Sequence, residues 1–576
     1  MEKILTAKRI AIIGSGPSGL FLLKNLLNSS DRNYIVDIFE GGNNTGSGFP
    51  YSREGSCYEH ITNVSGNEIP SLVSGTAEWL KTLPASTLHK YGIDPTDFTG
   101  YQVFPRLLFG EYLHAQFELL LQQATEKNIT VHLHLNSRVT DIIDDKQQEL
   151  VAIEVGTKKY TGFNHVIICS GHQWPKIHEG TQPGYYDSPY PPVKIARHFN
   201  HPIAIKGSSL TAIDAIRTLA QHNGQFSRDT NNKLIFTVNE KSKDFSIVMY
   251  SLQGLLPGIR FHLEDSHLSA DSLLSDKEIE CHRAENDGFL SLDFIFEKDF
   301  KEPLRVKDPA FYNHIRDMSM EAFVDEMMSR RERAEPFSLF RAEYEEARRS
   351  IQKRKSVHWK EMLAVLSFAM NYPAKHFSAE DMQRLQQTLM PLISIIIAFV
   401  PQDSCEELFA LHNAGKLSVI PVEKNSRVEP APGGGAVYHH TDEEGRTYET
   451  MYQTFINCTG QPHLWIKDFP FSTLVRNETV KQALLRFQSV EKACALKKEH
   501  AENIEEHPTG KYFLKVPGLA ISDNFNVIGK DQLPNPRIYI MAVPFIGGYN
   551  PDYSGLDFCE EASGKIVQDF FGQSSP

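Results

Sequence analysis

The sequence predicts an α/β protein with two Rossmann-like dinucleotide-binding domains and a helical insertion. Three observations support this fold class. A strand, a glycine-rich turn and a helix follow one another at the N-terminus, a second unit of the same type occupies residues 201–219, and amphipathic helical stretches fill the chain from about 265 to 391. Because 576 residues exceed what one hydrophobic core usually serves, we expect more than one domain.

The N-terminal unit has the pattern of a phosphate-binding turn. A β-branched strand ends at Ile13, the turn covers residues 14–19, and an apolar helix follows. Its first glycine permits the tight turn, Gly16 lets the backbone approach a pyrophosphate, and Gly19 lets the helix pack closely on the strand. The next strand ends in Glu40, 21 positions after Gly19, where a carboxylate can bind ribose hydroxyls. An ordinary glycine-rich loop is the alternative, but the whole pattern predicts a pocket for the ADP half of FAD.

The second unit has an imperfect version of the same turn. A short strand leads into residues 207–214, and Ser209 stands where the second glycine would be. Its side chain narrows the room for a pyrophosphate, so two interpretations stay open: an NAD(P) site, or a Rossmann-like layer that no longer binds a nucleotide. Two hydrophobic strands that stop at a small residue and glycine, ending at Gly171 and Gly460, flank this unit and are typical of passages between dinucleotide domains.

These patterns predict a discontinuous domain arrangement. We expect an FAD-binding domain at 1–195 and 455–576, an NAD(P)-binding-like domain at 196–265 and 392–454, and a helical insertion at 266–391.

Composition narrows the classes of partner. The net charge of −13 and the pI near 6.0 disfavour nucleic acids and anionic membranes, so small molecules are the expected ligands. Seven cysteines without a CxxC pair favour the cytoplasm, and no apolar stretch is long enough to span a bilayer. Hydrolase, zinc-protease and P-loop motifs are absent from the sequence, and we predict no metal site. The reactivity must therefore come from a cofactor, and a homo-oligomer is an open possibility.

Several further segments, in order along most of the chain, carry a family resemblance. The sequence resembles the FAD/NAD(P)-binding flavoproteins that include FAD-dependent urate hydroxylases and L-aspartate N-hydroxylases. The segments are residues 46–51 (GSGFPY), 60–64 (HITNV), 104–113 (FPRLLFGEYL), 169–171 (CSG), 207–214 (GSSLTAID) and 254–257 (GLLP).

The resemblance implies positions for several side chains. Gly48, Phe49 and Tyr51 would lie near the flavin ring, Asn63 would line the reaction cavity, and Arg106 would approach the FAD phosphates or ribose. After the strand that ends near Tyr250, the family pattern has an arginine for the NADPH 2′-phosphate, whereas this chain has Leu252. The choice between NADPH and NADH therefore stays open, with Lys206 or Arg260 as compensating cations.

The residues predicted to bind cofactor are Gly14, Ser15, Gly16, Pro17, Ser18, Gly19, Glu40, Gly48, Phe49, Tyr51, Asn63, Arg106, Gly171, Gly207, Ser208, Ser209, Leu210 and Thr211. No catalytic base is assigned, and His60 and Asn63 are the candidate catalytic residues.

Three functional hypotheses follow. The first is an FAD-dependent monooxygenase that uses NADPH or NADH and O₂ to hydroxylate a small polar substrate, by N-hydroxylation of an amino acid or hydroxylation of a purine-like ring. The second is an FAD-dependent oxidase or dehydrogenase without a nicotinamide cofactor, which the imperfect second turn permits. The third is a flavin-binding regulatory protein whose helical insertion presents a docking surface.

Overall fold

The computed structural model describes residues 7–94, 102–264, 274–371, 373–442, 444–552 and 555–572. Its strands are β1 (Lys8–Ile13), β2 (Tyr34–Phe39), β3 (Ile61–Ser65), β4 (Val103–Pro105), β5 (Thr130–His134), β6 (Asp141–Asp145), β7 (Leu150–Val155), β8 (Lys158–Phe163), β9 (His165–Ile168), β10 (Tyr185–Tyr186), β11 (Pro202–Lys206), β12 (Gly224–Arg228), β13 (Leu234–Val238), β14 (Ser246–Leu252), β15 (Leu417–Val422), β16 (Arg427–Pro430), β17 (Ala436–Thr441), β18 (Thr447–Tyr452), β19 (Thr454–Asn457), β20 (Gln482–Arg486), β21 (Ile504–Glu506), β22 (Tyr512–Leu519), β23 (Asn526–Ile528) and β24 (Pro534–Ile540).

The α-helices are α1 (Pro17–Asn28), α2 (Thr76–Leu80), α3 (Ala85–Lys90), α4 (Arg106–Glu126), α5 (Leu210–Asn223), α6 (Asp276–Glu285), α7 (Leu292–Ile295), α8 (Glu302–Lys307), α9 (Pro309–Ile315), α10 (Met320–Glu332), α11 (Pro336–Lys353), α12 (His358–Met370), α13 (Ala379–Arg384), α14 (Met390–Ile396), α15 (Gln402–Asn413), α16 (Ser472–Arg476), α17 (Val490–Glu499) and α18 (Gly555–Phe571). Among the described residues, none of the helices is both long and apolar enough to cross a membrane.

The first sheet has the strand order β23-β24-β9-β1-β2-β5. Its strands run parallel except for β23, which is antiparallel to β24. Ile10, Ala11 and Ile12 of β1 are fully buried, as expected for a central parallel strand covered on both faces. Helices α1 and α18 pack against each other, and the two ends of the chain thereby meet beside β1.

The second sheet has the order β10-β19-β11-β14-β15, and its pairings are all parallel. Alternate side chains of β11 point to opposite faces: Ile203 and Ile205 pack in the core shared with α5 and α15, while Ala204 packs under the antiparallel strands β16–β18. The predicted fold class, two Rossmann-like layers with a helical region, is confirmed.

The packing differs from the predicted domain boundaries in three respects. Strand β10 lies on the FAD-binding side of the boundary expected at 195/196, and β19 crosses the boundary expected at 454/455, but both pair within the second sheet. Strands β20–β22 share one hydrophobic core with helices α7, α10 and α12–α14, so this C-terminal stretch packs with the insertion. Helix α11 instead packs on the second dinucleotide unit, through Phe337 and Phe340. The boundary predicted at 265/266 lies outside the described residues.

Candidate functional site

The first glycine turn is closed by the end of a neighbouring strand. Gly14 has φ +103°, a left-handed conformation that favours glycine, and a Cβ there would stand 2.7 Å from the Cys169 carbonyl oxygen. A Cβ on Gly19 would stand 2.2 Å from the Gly14 carbonyl oxygen, because α1 lies directly against the turn. The strand end at Cys169 and the helix start therefore meet at one point.

Gly16 and Gly48 form a close backbone crossing in front of α1. A Cβ on Gly16 would lie 3.1 Å from the Gly48 Cα, and Gly48 itself has φ +57°. Helix α1 begins at Pro17, and no side chain caps its N-terminus. The free backbone N–H groups of this helix end suit the negatively charged pyrophosphate of a dinucleotide.

Glu40 is held in place by the turn that it faces. Its Oε2 accepts hydrogen bonds from the Ser15 backbone N at 2.9 Å and from the Ser15 Oγ at 2.7 Å, and its Oε1 accepts one from the Gly42 backbone N at 2.9 Å. A carboxylate has about four acceptor positions, two on each oxygen, so Oε1 can still accept a ribose hydroxyl. The geometry fits the predicted role of Glu40.

A cavity of about 630 Å³ opens beside these residues. Its walls come from distant parts of the chain: the first turn, the loop after β2, the end of β9, the segment before α16, and the start of α18. The predicted residues Gly14, Gly16, Pro17, Ser18, Glu40, Gly48, Phe49, Tyr51 and Gly171 line it, together with Arg138, Cys169, Ser170, His172, Gln173, Phe471, Met541, Val543, Gly555, Leu556 and Cys559. The volume and the mixture of apolar walls with a few polar groups are typical of a cofactor site.

At one end of this cavity the lining residue Phe49 packs against two further aromatic rings, which do not line the cavity themselves. The Phe49 ring lies 5.4 Å from the Trp174 ring and 6.1 Å from the Tyr190 ring, and Trp174 also stacks on His172 at 5.6 Å. Burial raises the pKa of Tyr51, whose ring packs edge-on against Phe109 at 4.9 Å. The buried Ser170 Oγ, at the cavity lining, makes no hydrogen bond within the protein. A flat heterocycle with polar edges fits this end of the cavity.

Arg106 is held by hydrogen bonds away from the cavity. Its Nη1 lies 2.5 Å from an Asp214 carboxylate oxygen, and its Nε donates to the Ile61 carbonyl at 3.0 Å. The Tyr190 hydroxyl donates to the same Asp214 oxygen at 2.7 Å. Burial alone would raise the pKa of Asp214, but Arg106 and its other polar neighbours hold that pKa below its ordinary value. Arg106 does not line the described cavity and instead joins the first sheet's domain to α5, so its approach to FAD phosphates stays a prediction.

The two candidate catalytic residues lie in the same buried region, not at the cavity. His60 Nε2 is 2.9 Å from the Thr218 Oγ1 and 3.2 Å from the Asp214 carbonyl oxygen, and burial lowers the pKa of this histidine. His60 is enclosed by these groups and does not line the described cavity. The carbonyl oxygen of Asn63 accepts a hydrogen bond from Arg260, and Asn63 does not line the described cavity either.

The second glycine turn repeats the first in its framework. Gly207 has φ +108°, and a Cβ there would lie 2.6 Å from the Cys458 carbonyl oxygen, at the end of β19. Leu210 begins α5, and Ser209 precedes it without a side-chain capping bond. Thr211 follows in the first turn of the helix.

The surroundings of this second turn differ from those of the first. Ser208 Oγ donates to the Leu255 carbonyl at 2.8 Å, and Ser251 Oγ lies 2.9 Å from Ser208 Oγ. Leu252, at the end of β14, is 53% exposed. Arg260, one candidate cation for a 2′-phosphate, is buried and bound by Ser65 Oγ and the Glu68 carboxylate. Lys206, the other candidate cation, is half-buried at the end of β11, and burial lowers its pKa.

The sequence did not identify two groups of residues at or next to the cavity. Trp174 and Tyr190 pack against Phe49 without lining the cavity, and their position depends on a long loop whose path carries no local signal. Gly555, Leu556 and Cys559 bring the start of α18 to the cavity. The sequence does contain a helix signal for α18, because Gly555 begins a long amphipathic stretch near the C-terminus.

Comparisons with known proteins distinguish an N-terminal region and a middle region of the chain. Residues 11–173 match the family model described as FAD-NAD(P)-binding, and residues 275–397 match that of the YdhS-like middle domain. The uncharacterized protein YdhS of Escherichia coli strain K12 is 27% identical over 473 residues, which cover 81% of this chain and 86% of that protein. The first glycine turn and the end of β9, which both line the cavity, lie within the matched FAD-NAD(P)-binding region.

Solved structures of similar architecture include several flavoenzymes. L-lysine 6-monooxygenase from Pseudomonas syringae has 12% identity and a TM-score of 0.48, with 98% of this chain and 99% of that chain covered. An ornithine N-hydroxylase from Kutzneria sp. 744 has 13% identity and a TM-score of 0.41, with the same coverage. The bacillithiol disulfide reductase of Staphylococcus aureus has 10% identity and a TM-score of 0.42, with 99% of each chain covered.

Proposed function

We propose that this chain is an FAD-dependent monooxygenase that uses a nicotinamide dinucleotide and O₂ to hydroxylate a small polar substrate. The observation that carries the proposal is the cavity, in which an uncapped helix end, the Gly16–Gly48 crossing, the fixed Glu40 carboxylate and the Phe49 ring are combined. The second Rossmann-like layer supports a separate nucleotide that delivers reducing equivalents. The balanced reaction consumes substrate, NAD(P)H, O₂ and a proton, and yields hydroxylated product, NAD(P)⁺ and water.

Each part of the site has a defined task in this proposal. FAD, when bound, supplies the redox and oxygen-activating chemistry. The backbone N–H groups at α1 hold the pyrophosphate, Glu40 binds the adenosine ribose, and Phe49 covers the ring. Apolar groups such as Val543 and Met541 keep water from the reacting end of the cavity. This scheme requires no strong general base, in keeping with the enclosed position of His60 away from the cavity.

The substrate class is part of the proposal. Amino acids and diamines, whose amino groups are nucleophilic when neutral, are the first class to test, and purine-like rings are the second. The amine must reach the cavity deprotonated, so oxygen uptake with amine substrates is expected to increase with pH until the amine is neutral.

The decisive experiment follows the visible flavin spectrum of purified protein under anaerobic conditions. Addition of NADH or NADPH is expected to bleach the flavin, and a true substrate is expected to stimulate oxygen uptake while lowering peroxide release. If neither nucleotide bleaches the flavin, the proposal fails.

A substrate-reduced oxidase or dehydrogenase is the second candidate. The hydrogen bonds of Ser208 and Ser251 to the Leu255 carbonyl favour it, because they tie a loop against the place where a second nucleotide would bind. Flavin bleaching by an amine or hydroxy compound alone, without nucleotide, would decide for this candidate.

A further inference from the structure

A second cluster of polar side chains lies where the second dinucleotide unit meets the helical insertion. Glu264 belongs to the segment after β14, whereas His358 and Glu361 belong to the first turn of α12. The His358 Nδ1 is 4.0 Å from a carboxylate oxygen of Glu264 and 4.0 Å from one of Glu361. All three ligand atoms lie within 4.8 Å of one another.

Burial separates this cluster from an ordinary surface ion pair. The side chain of Glu361 is 1% exposed and that of His358 is 13% exposed. The buried His358 Nδ1 makes no hydrogen bond within the protein, and neither does the Oγ of the neighbouring Ser356, a residue only 7% exposed. Buried polar atoms normally have a partner, so this nitrogen points to a missing group.

Backbone groups hold the carboxylates in position. The Glu264 backbone N donates to Glu361 Oε1 at 2.9 Å, and the Ser356 backbone N donates to Glu264 Oε1 at 3.2 Å. Lys360, beside Glu361 in sequence, turns away and contacts Glu346 at 2.6 Å. The arrangement is therefore fixed by three chain segments.

The surroundings of His439 provide a contrast within the same molecule. Its Nε2 lies 3.4 Å from Glu429 and its Nδ1 lies 3.2 Å from Glu449, and both glutamates are more than half exposed. There each ring nitrogen faces its own carboxylate, as in surface ion pairing. His358 instead directs one nitrogen toward two carboxylates, which is the geometry of side chains that share a central ligand.

We propose that Glu264, His358 and Glu361 bind a divalent metal ion of the Zn²⁺ type. One imidazole nitrogen and two carboxylate oxygens are ligands that Zn²⁺ accepts, and three protein ligands leave a position for water. Ligands about 2.0–2.2 Å from one Zn²⁺ stand roughly 3.3 Å apart, so atom pairs that now lie between 4.0 Å and at most 4.8 Å apart need to close by about 0.7–1.5 Å. The i,i+3 spacing places His358 and Glu361 on one helix face. This proposal departs from the prediction from sequence that the chain has no metal site.

The metal ion would fasten the segment after β14 to the start of α12, and thus the second dinucleotide unit to the insertion. None of the three residues lines the flavin cavity. The inference therefore goes beyond the proposed function and is tested independently of it.

The test measures metal content and affinity in protein without an affinity tag. Wild-type protein is expected to contain about one Zn²⁺ per chain, and chelator-treated protein is expected to bind Co²⁺ at about one equivalent with a visible ligand-field spectrum. His358→Gln and Glu264→Gln are expected to weaken Co²⁺ binding at least tenfold, roughly the loss seen when a metal site loses a supporting group. His439→Gln is the matched control and is expected to bind as the wild type does.

Glu361→Gln is a further test of the site, but it alters a side chain that is only 1% exposed. Glu264→Gln alters a side chain that is 40% exposed and leaves the core intact. Circular dichroism on each variant separates loss of metal from loss of fold. If wild-type protein shows no saturable binding of Zn²⁺ or Co²⁺, or if His358→Gln and Glu264→Gln bind with wild-type affinity, the metal site is ruled out.

Discussion

The two glycine turns share one framework and differ in what surrounds it. Gly14 and Gly207 have nearly the same φ, +103° and +108°, and each lies against the carbonyl oxygen of a cysteine at a strand end, Cys169 and Cys458. In the first turn Gly16 and Gly19 follow, whereas in the second Ser209 and Ala212 stand at those positions. The first glycine of each turn is thus required by the fold. The residues at the other two positions determine how closely a phosphate and a helix approach the backbone.

The largest expected effect comes from changing the tight contact that only the first turn has. In Gly19→Ala the new Cβ would stand 2.2 Å from the Gly14 carbonyl oxygen, so α1 must move away from the turn. We expect at least a tenfold loss of FAD affinity, equivalent to about 1.4 kcal/mol. The visible flavin absorbance relative to protein absorbance measures it. Ala212→Gly, the counterpart in the second turn, should leave flavin content unchanged; equal flavin loss in both variants would contradict the comparison.

The next largest effect concerns nucleotide choice at the second turn. Leu252 is exposed at the end of β14, where a nucleotide 2′-phosphate is recognised in such domains. Leu252→Arg is expected to raise the ratio of kcat/KM for NADPH over NADH by roughly tenfold, because a charge-assisted hydrogen bond contributes about 1.5–3 kcal/mol. Leu252→Gln, of similar length without charge, serves as the control. An unchanged ratio in Leu252→Arg would place the 2′ position elsewhere.

A comparable but somewhat smaller effect is expected at Glu40. Glu40→Gln removes the charge that faces the adenosine ribose and weakens the bonds from Ser15. We expect FAD to bind about tenfold more weakly, which corresponds to one charge-assisted hydrogen bond. Fluorescence titration of FAD into flavin-free protein measures this change. Glu118→Gln, on an exposed part of α4, should bind as the wild type does, and a matching loss there would show a general charge effect instead.

The smallest effect is expected from a change that makes the second turn more like the first. Ser209→Gly restores the second glycine in the second turn, and it removes no capping bond, since the Ser209 side chain makes none. Closer approach of a pyrophosphate is expected to lower the nucleotide KM by roughly threefold, or about 0.6 kcal/mol, with flavin content unchanged. Stopped-flow reduction of the flavin at varied nucleotide concentration measures it. A raised KM would mean that the serine itself binds the phosphate.

Local signals in the sequence predicted the framework of the FAD site. Gly14, Gly19 and Glu40 could be assigned because their roles depend on spacing within one strand-turn-helix unit. Arg106 could not, since its partner Asp214 is 108 positions away and belongs to the other dinucleotide unit. His60 was a reasonable catalytic candidate from its residue type alone, but only the fold shows that Thr218 and Asp214 enclose it.

The domain boundaries illustrate the same limit. Alternation and strand ends identified the sheets, yet the sequence carries no sign that β10, with two residues, pairs in the second sheet. Neither does it show that β20–β22 share a core with the insertion, because hydrophobic side chains do not specify which other segment they pack against.

The meeting of α1 and α18 beside β1 has a consequence for how the protein is made. Gly14, Gly16, Pro17 and Ser18 line the flavin cavity together with Gly555, Leu556 and Cys559, although most of the sequence separates the two groups. Chain synthesis proceeds from the N-terminus, so the first turn leaves the ribosome long before the wall that completes its pocket. The cavity is therefore completed only after residues 555–559 have been made, and a chain stopped before residue 555 would leave the ribosome with its first glycine turn intact and its cavity open.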